Sequence, residues 1–113
     1  MSNVNIEWAH LWWDIFHTTC LLYKHSSKSE AKFNMFLNWF IDGISCKVCL
    51  DEFTKLLRNN PMNKYSKSNR TMFLWSYIIH DSVNRRLGKK SPPFDNIIKM
   101  YFNRFKSICD ECN

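Results

Sequence analysis

The sequence contains few of the residues that interrupt regular structure. Its 113 residues include only two glycines and three prolines. A fold of many short strands needs such residues at its frequent turns, so a sandwich or barrel is not expected. Their scarcity predicts an all-α fold built from long helices.

Long apolar runs are also missing. No stretch approaches the roughly 18 uninterrupted apolar residues of a membrane span, and residues 1–7 lack the cationic and apolar regions of a signal peptide. We therefore expect a soluble, intracellular protein with no membrane partner.

The net charge of +6 raises the question of nucleic acid binding. Most basic residues are scattered along the chain, and the only local cluster is Arg85, Arg86, Lys89 and Lys90. Four charges suit one phosphate group better than a duplex, whose binding depends on many phosphate contacts. No nucleic acid partner is expected.

Aromatic and other hydrophobic residues are abundant. They make up 45% of the chain and include nine Phe, five Trp and four Tyr. A chain of this length can bury roughly 60–70% of its unfolded surface. We expect residues 1–113 to form one domain.

Apolar residues recur at the three- and four-residue steps of a helix along five segments. The first runs from Ile6 to about Lys24. The second begins at Ser27, where Ser27 and Glu30 match a capping box, and ends at Gly43, which can adopt a left-handed turn.

Three further helices are predicted. The third runs from Cys46 to Arg58, the fourth from Asn69 to Leu87, and the fifth from an N-cap and first-turn proline at Ser91-Pro92 to Lys106. Residues expected to face inward on the third helix are Cys49, Leu50, Phe53, Leu56 and Leu57. The expected architecture is a four-helix bundle with a short fifth helix packed across it.

Five cysteines are an odd number, which argues against a simple secreted disulfide scaffold. Cys46 and Cys49 lie at the predicted start of a helix, where a CxxC pair can close into a disulfide without backbone strain. Unpaired N–H groups and the helix dipole favour the thiolate of Cys46, and Lys47 adds a positive charge. This pattern indicates redox chemistry.

Other functions of the cysteine pair remain open on the residues alone. A thioredoxin-like site would follow a strand, whereas a helix precedes this pair. A zinc-binding interaction module could combine it with Cys109 and Cys112, but 59 residues separate Cys49 from Cys109, which is unlike a short zinc ribbon. A structural disulfide or buried thiols would need no chemistry.

Three segments together resemble the Erv/ALR family of FAD-linked sulfhydryl oxidases, particularly its short viral members. They are Trp8 with Trp13-Asp-Ile-Phe-His17, the Cys46-x-x-Cys49 motif, and the segment from His80 to Lys89, which reads His-Asp-Ser-Val-Asn-Arg-Arg-Leu-Gly-Lys. The resemblance spans almost the whole chain. All three segments in this order are more specific than any one of them.

The resemblance implies a helical bundle that binds FAD with the isoalloxazine ring beside the CxxC pair. Trp13 and His17 are one helical turn apart, as are His80 and Asn84, so each pair shares a face that could sandwich an aromatic ring. Arg86, Lys89 and Lys90 would lie near the pyrophosphate. The implied cofactor-binding residues are Trp8, Trp13, His17, Cys49, His80, Asp81, Val83, Asn84, Arg86, Lys89 and Tyr101.

The resemblance also implies a mechanism and partners. A substrate thiol attacks Cys46, Cys49 passes two electrons to the flavin, and oxygen accepts them to give hydrogen peroxide. No metal takes part. The implied partners are a thiol-containing protein or a thioredoxin-like relay protein, molecular oxygen, and a second copy in a homodimer. A viral member would act in the host cytoplasm or a virus factory.

Two other cysteine assignments follow. Cys109 and Cys112 resemble in placement the shuttle pair of some family members, at a C-terminus where chains are commonly mobile. Cys20, one turn after His17, is expected to be a buried structural thiol.

The chain departs from the family pattern at several positions. Asp81 replaces the usual Asn, which exchanges an amide donor for a carboxylate acceptor. Tyr77 and Asn96 stand where cellular members carry a structural disulfide, so packing is expected to replace it. Ala9 replaces a Gly in the first segment.

Overall fold

A computed structural model describes the backbone of residues 3–44 and 46–112, and the side chains of residues 10–26, 28–44, 46–104 and 106. The helices are α1 (Asn3–Leu21), α2 (Ser27–Asp42), α3 (Lys47–Asn59), α4 (Asn69–Arg86) and α5 (Phe94–Cys112), with a single 3-10 turn at Met62–Lys64. The described backbone contains no strand, so the predicted all-α class is confirmed. None of the helices in these ranges has the length and apolar content to cross a membrane.

Helix α4 lies at the centre of the core. Its buried residues are Met72, Phe73, Trp75, Ser76 and Ile79. Helix α1 packs along it through Phe16 and Cys20, and α2 covers the same core with Phe33 and Phe40. The Trp75 indole N–H donates a hydrogen bond of 2.7 Å to the Asn60 carbonyl, which holds the end of α3 against α4.

The start of α2 differs from the predicted capping box. Ser26, not Ser27, is the N-cap, and its hydroxyl accepts a hydrogen bond of 3.1 Å from the Ser29 N–H. Glu30 instead accepts a hydrogen bond of 2.9 Å from the Ser66 hydroxyl, which ties α2 to the segment before α4. Serines at 26 and 27 both suit a cap, and the Ser66 contact decides where Glu30 points.

The two glycines of the chain each follow a helix, and they differ in backbone conformation. Gly43 follows α2 with a φ of −77°, so the predicted left-handed turn is wrong there. Gly88, just after α4, does have a positive φ of 74°, a conformation that a residue with a Cβ adopts only at a cost. The chain therefore reverses through glycine only after α4.

Helix α5 is longer and begins later than predicted. It starts at Phe94 because the Pro93 carbonyl accepts the first hydrogen bonds, from the Asn96 and Ile97 N–H groups. A residue before proline is disfavoured in helical conformation, so Pro92 cannot be the first helical residue. The helix continues to Cys112 and has 19 residues, as many as α1, so it is not the short crossing helix expected.

A tyrosine clamp, formed by Tyr77 with Pro92 and Phe94, joins α4 to the start of α5. The Tyr77 hydroxyl donates a hydrogen bond to the Pro92 carbonyl, and its ring meets Phe94 edge-on at 5.5 Å. Tyr77 is one of the two positions where the resemblance led us to expect packing in place of a structural disulfide. A hydrogen bond and aromatic packing make the connection here.

Candidate functional site

The cysteine pair lies at the start of α3. Cys46 is the N-cap, and its Sγ accepts a hydrogen bond of 3.3 Å from the Cys49 N–H. Both thiols are free and exposed. The expectation that Cys49 faces inward is wrong, because its side chain is exposed. Phe53, one turn further along, is the residue of α3 that is buried in the core.

The two thiols are polarised in opposite directions. Hydrogen bonds from the Cys49 side chain and backbone lower the pKa of Cys46, and the Arg86 guanidinium adds to this. The same thiol–thiol hydrogen bond, together with partial burial, raises the pKa of Cys49. Cys46 is thus the cysteine of the pair with the lowered pKa, and the cation that contributes is Arg86 of α4 rather than the predicted Lys47.

Phe53 connects the helix that carries the cysteines to the aromatic core. Its ring lies edge-on to Trp12 at 5.1 Å and to Trp13 at 6.4 Å. Trp13 in turn stacks on His80, with ring centroids 3.8 Å apart and an angle of 3° between the rings. Trp13 therefore lies between α3 and the histidines of the site.

The predicted residues His17, which is buried, and His80, which is partly buried, form a hydrogen-bonded pair. Their Nε2 and Nδ1 atoms are 2.8 Å apart, and His17 Nδ1 is 2.7 Å from the Ser76 Oγ. Burial lowers the pKa of His17 to about 3, and burial with nearby Lys89 lowers that of His80 to about 4. Both imidazoles are neutral at pH 7.

A cavity of about 90 Å³ opens beside these histidines. We call it the histidine cavity; it is lined by His17, Tyr77, His80, Asp81, Asn84, Ser91, Pro92, Ile97, Met100 and Tyr101. Five predicted cofactor-binding residues are among them. The cavity thus gathers predicted residues from α1, α4 and α5.

Tyr101 is held at the cavity by contacts between α5 and α1. Its hydroxyl donates a hydrogen bond to the Asp14 carboxylate, and the Arg104 guanidinium lies over its ring at 5.2 Å. Burial and Asp14 raise the pKa of Tyr101. The phenol is therefore protonated at neutral pH.

The other predicted residues lie outside the cavity lining. Trp13 is not part of the lining but stacks with His80 at 3.8 Å and with His17 at 5.8 Å, and Val83 is half-buried on α4. Arg86 and Lys89 are exposed; Arg86 lies 3.9 Å from Glu52 of α3, on the side of the cysteine pair. The Trp8, Cys109 and Cys112 side chains lie outside the described residues, although α1 and α5 include their backbone.

Sequence reasoning missed Ser76 and several lining residues. A single serine within the apolar run from Trp75 to Ile79, one turn before His80, was the available signal for Ser76. Cys20 was predicted correctly as a buried thiol; burial raises its pKa, and its side chain is completely inaccessible.

The residues fit a flavin nucleotide in chemistry but not as the predicted sandwich. Stacked at 3.8 Å, Trp13 and His80 leave no space for a ring between them. The cavity of about 90 Å³ is also smaller than the roughly 300–1,000 Å³ of typical ligand sites. In this conformation it admits only part of a nucleotide, with tryptophan, histidine and cationic side chains nearby.

The zinc alternative gains no support from the geometry. Among the side chains described, no three His, Cys, Asp or Glu residues are grouped so as to hold a metal ion. The module would require Cys109 and Cys112, which lie outside those side chains.

Comparisons with known proteins place this geometry in a family. Residues 10–106 match the family model described as the Erv1/Alr family. Curated proteins from two African swine fever virus isolates, one from a pig in Kenya and one from a tick in Malawi, are named FAD-linked sulfhydryl oxidase; each is 23% identical over 88 residues, covering 75% of this chain and 71% of the relative. Because the family match takes in the cysteine pair, Trp13, both histidines and the cavity, the chain belongs to the Erv1/Alr family.

Proposed function

We propose that this protein is an FAD-dependent thiol oxidase that forms disulfide bonds in protein thiols and reduces oxygen to hydrogen peroxide. The observation that carries the proposal is an exposed CxxC pair in which the pKa of Cys46 is lowered and that of Cys49 is raised. The helix that carries this pair contacts Trp13 through Phe53, and Trp13 stacks on His80 of the histidine cavity. The printed name of the viral relatives, FAD-linked sulfhydryl oxidase, supports it.

Cys46 is the cysteine that exchanges with the substrate. A substrate thiolate attacks Sγ of Cys46 in the Cys46–Cys49 disulfide, so that a mixed disulfide forms and Cys49 leaves as a thiolate. A second substrate thiolate then attacks the substrate sulfur of the mixed disulfide and releases Cys46. The substrate has lost two electrons, and the pair has gained them as thiols.

The polarisation of the pair favours this assignment. The exposed Cys46 has the lowered pKa, and a thiol of lower pKa is the better leaving group in the second exchange. Cys49 donates its hydrogen bond to Cys46 and is the cysteine nearer to the core. It is therefore the one proposed to face the cofactor.

The proposed FAD contacts remain those predicted from the sequence. His17, His80, Asp81, Asn84 and Tyr101 would hold the part of the nucleotide that enters the cavity. Trp8, Trp13, Val83, Cys49, Arg86 and Lys89 would contact the remainder. When bound, FAD would supply the two-electron acceptor and the route to oxygen.

We further propose that Cys109 and Cys112 form a shuttle pair for bulky substrates, and that the substrate is a thiol-containing protein or a thioredoxin-like relay protein. The position of the pair at the end of α5, rather than in the core helices, supports this. Replacing both should slow oxidation of a folded substrate and spare a small dithiol. Equal rates of the double variant and the native chain on both substrates would exclude the shuttle.

A homodimer is also proposed, but Trp12 and Phe40 of α1 and α2 pack against each other in the core and would not form its interface. Trp12 stacks on Phe40 at 4.1 Å, and Phe40 is buried. Other large apolar residues of α1 and α2 are exposed, namely Leu11, Ile15, Leu22, Met35 and Trp39. Such surface commonly marks an interface.

Oxygen consumption with dithiothreitol tests the central proposal. The purified protein should be yellow, and Cys49→Ser should abolish turnover because the cysteine pair proposed to pass two electrons to FAD is then broken. Cys20→Ala is the matched control, since it removes a buried thiol outside the pair and should retain turnover. Activity in Cys49→Ser, or a colourless native protein that binds no added FAD, would contradict the proposal.

A further inference from the structure

Ser76 is a completely buried serine on α4 that the proposed function does not use. Its Oγ is 2.7 Å from the Phe73 carbonyl oxygen and 2.7 Å from His17 Nδ1. A serine hydroxyl carries one proton and can donate it only once. The destination of that proton decides the protonation of the neighbouring histidine.

The Phe73 carbonyl takes the Ser76 proton. A carbonyl oxygen has no proton to give, and 2.7 Å is the usual length of an O–H···O hydrogen bond. If the proton pointed to His17 instead, two buried oxygens would face each other at that distance without a proton between them. Ser76 therefore accepts from His17, and Nδ1 of His17 carries its proton.

The position of the His17 proton also determines which nitrogen of His80 is protonated. His17 is neutral at pH 7, so a proton on Nδ1 leaves its Nε2 unprotonated. The contact of 2.8 Å between this Nε2 and Nδ1 of His80 then requires the proton on Nδ1 of His80. Neutral His80 consequently has an unprotonated Nε2, which can only accept.

The other polar groups of the histidine cavity offer both acceptors and donors. The phenols donate away from it, Tyr77 to the Pro92 carbonyl and Tyr101 to Asp14. The Asn84 amide nitrogen donates one of its two N–H groups to the Ser91 hydroxyl at 3.0 Å, and Ser91 keeps its own hydroxyl proton. Asp81 offers only carboxylate oxygens, so His80 and Asp81 are the groups limited to accepting.

We propose that Ser76 is a positioning residue which, through His17, fixes His80 as a hydrogen-bond acceptor, so that His80 binds an amine or hydroxyl of the flavin nucleotide rather than a carbonyl. This proposal rests on the proposed FAD binding. The donors available on FAD are the adenine amino group, the isoalloxazine N3–H and the sugar hydroxyls. Each can be removed separately in a synthetic analogue.

The tautomers can be measured without any cofactor. In the full chain labelled with ¹⁵N at histidine, imidazole nitrogen shifts and couplings at pH 7 should show a proton on Nδ1 and none on Nε2 in both His17 and His80. A proton on Nε2 of His80 would overturn the inference. Because FAD is absent, this result is independent of whether the protein is an oxidase.

Binding of analogues then identifies the donor. Fluorescence titration should give an affinity roughly tenfold weaker than that of FAD for at least one member of an analogue set, because the His80 acceptor would lose its partner. The set comprises flavin hypoxanthine dinucleotide, which lacks the adenine amino group, N3-methyl-FAD, and FAD derivatives that each lack one ribose or ribityl hydroxyl. Equal affinity of every analogue with FAD would overturn the inference, whereas failure of FAD itself to bind would overturn the proposed function.

Variants of α4 separate positioning from stability. Ser76→Ala should weaken FAD binding roughly tenfold and shift the His80 nitrogens, since His17 loses its acceptor. Ser76→Thr keeps the hydroxyl and should restore the native tautomers. Ser82→Ala is the matched control, because Ser82 donates to the Ile78 carbonyl at 2.9 Å on the same helix. If His17 and His80 of Ser76→Ala keep the tautomers of the unsubstituted chain, the positioning role is overturned. If this variant does not fold, the tautomers measured in the unsubstituted chain decide the matter.

Discussion

The buried histidine pair should make stability depend steeply on acid. Burial lowers the pKa of His17 from 6.5 to about 3, and burial with Lys89 lowers that of His80 from 6.5 to about 4. Below pH 6.5 the unfolded chain binds protons that the folded chain cannot accept. The free energy of unfolding is therefore fully retained above pH 6.5 and falls as the pH drops toward 4 and then 3.

The size of the loss follows from these shifts. Each pH unit below 6.5 costs about 1.4 kcal/mol per histidine that stays neutral in the fold, so His17 should remove about 2 kcal/mol at pH 5. His80 is only partly buried, and solvent screening reduces its share to about 1 kcal/mol. The sum of about 3 kcal/mol is a large part of the roughly 6–17 kcal/mol expected for a domain of this length.

Urea unfolding of the full chain at pH 7.5, 6 and 5 measures the effect. The midpoint should fall with pH in the native chain, and His17→Gln should show a clearly smaller fall because its main titrating group is gone. Ser82→Ala, which loses a hydrogen bond elsewhere on α4, should keep the native pH dependence. A midpoint that does not change between pH 7.5 and 5 would refute the neutral histidine pair.

Three further changes test the fold around the site. Phe53→Ala should lower the free energy of unfolding by about 3–5 kcal/mol in urea titration, because a large ring is lost from the core, whereas Lys55→Ala, exposed on the same helix, should change it by less than about 0.5 kcal/mol. Tyr77→Phe should cost about 1 kcal/mol and speed amide hydrogen exchange in α5; unchanged exchange would mean that the tyrosine clamp does not hold this helix. Trp39→Ser should weaken self-association in light scattering, and a native chain that is monomeric at micromolar concentration would remove the dimer.

The sequence predicted the elements that depend on local patterns. Apolar periodicity and caps placed α1 to α4 within a few residues of their observed bounds. The steps of four from Trp13 to His17 and from His80 to Asn84 correctly paired side chains on one face of each helix. Such relations are fixed by helix geometry alone.

Relations between helices could not be predicted in the same way. Ser76 meets His17 across 59 residues because of how α4 lies against α1, and no local spacing encodes that register. Periodicity puts Cys49 on the same face as Phe53, but Cys49 is exposed in the structure while Phe53 is buried. Sequence signals at Ser91-Pro92 predicted the start of α5 too early, because the first hydrogen bonds of the helix go to the Pro93 carbonyl.

Asp81 departs from the pattern that the resemblance implied, but its neighbours limit the effect on the histidine cavity. Its carboxylate cannot donate as the Asn of that pattern could, and Arg85 binds it at 2.9 Å, which offsets its charge. His80 is an acceptor for a separate reason, because Ser76 sets its tautomer through His17. Asp81→Asn alone would therefore leave the acceptor of His80 in place. The preference of His80 for a donating ligand group should survive that single change and should be lost in Ser76→Ala.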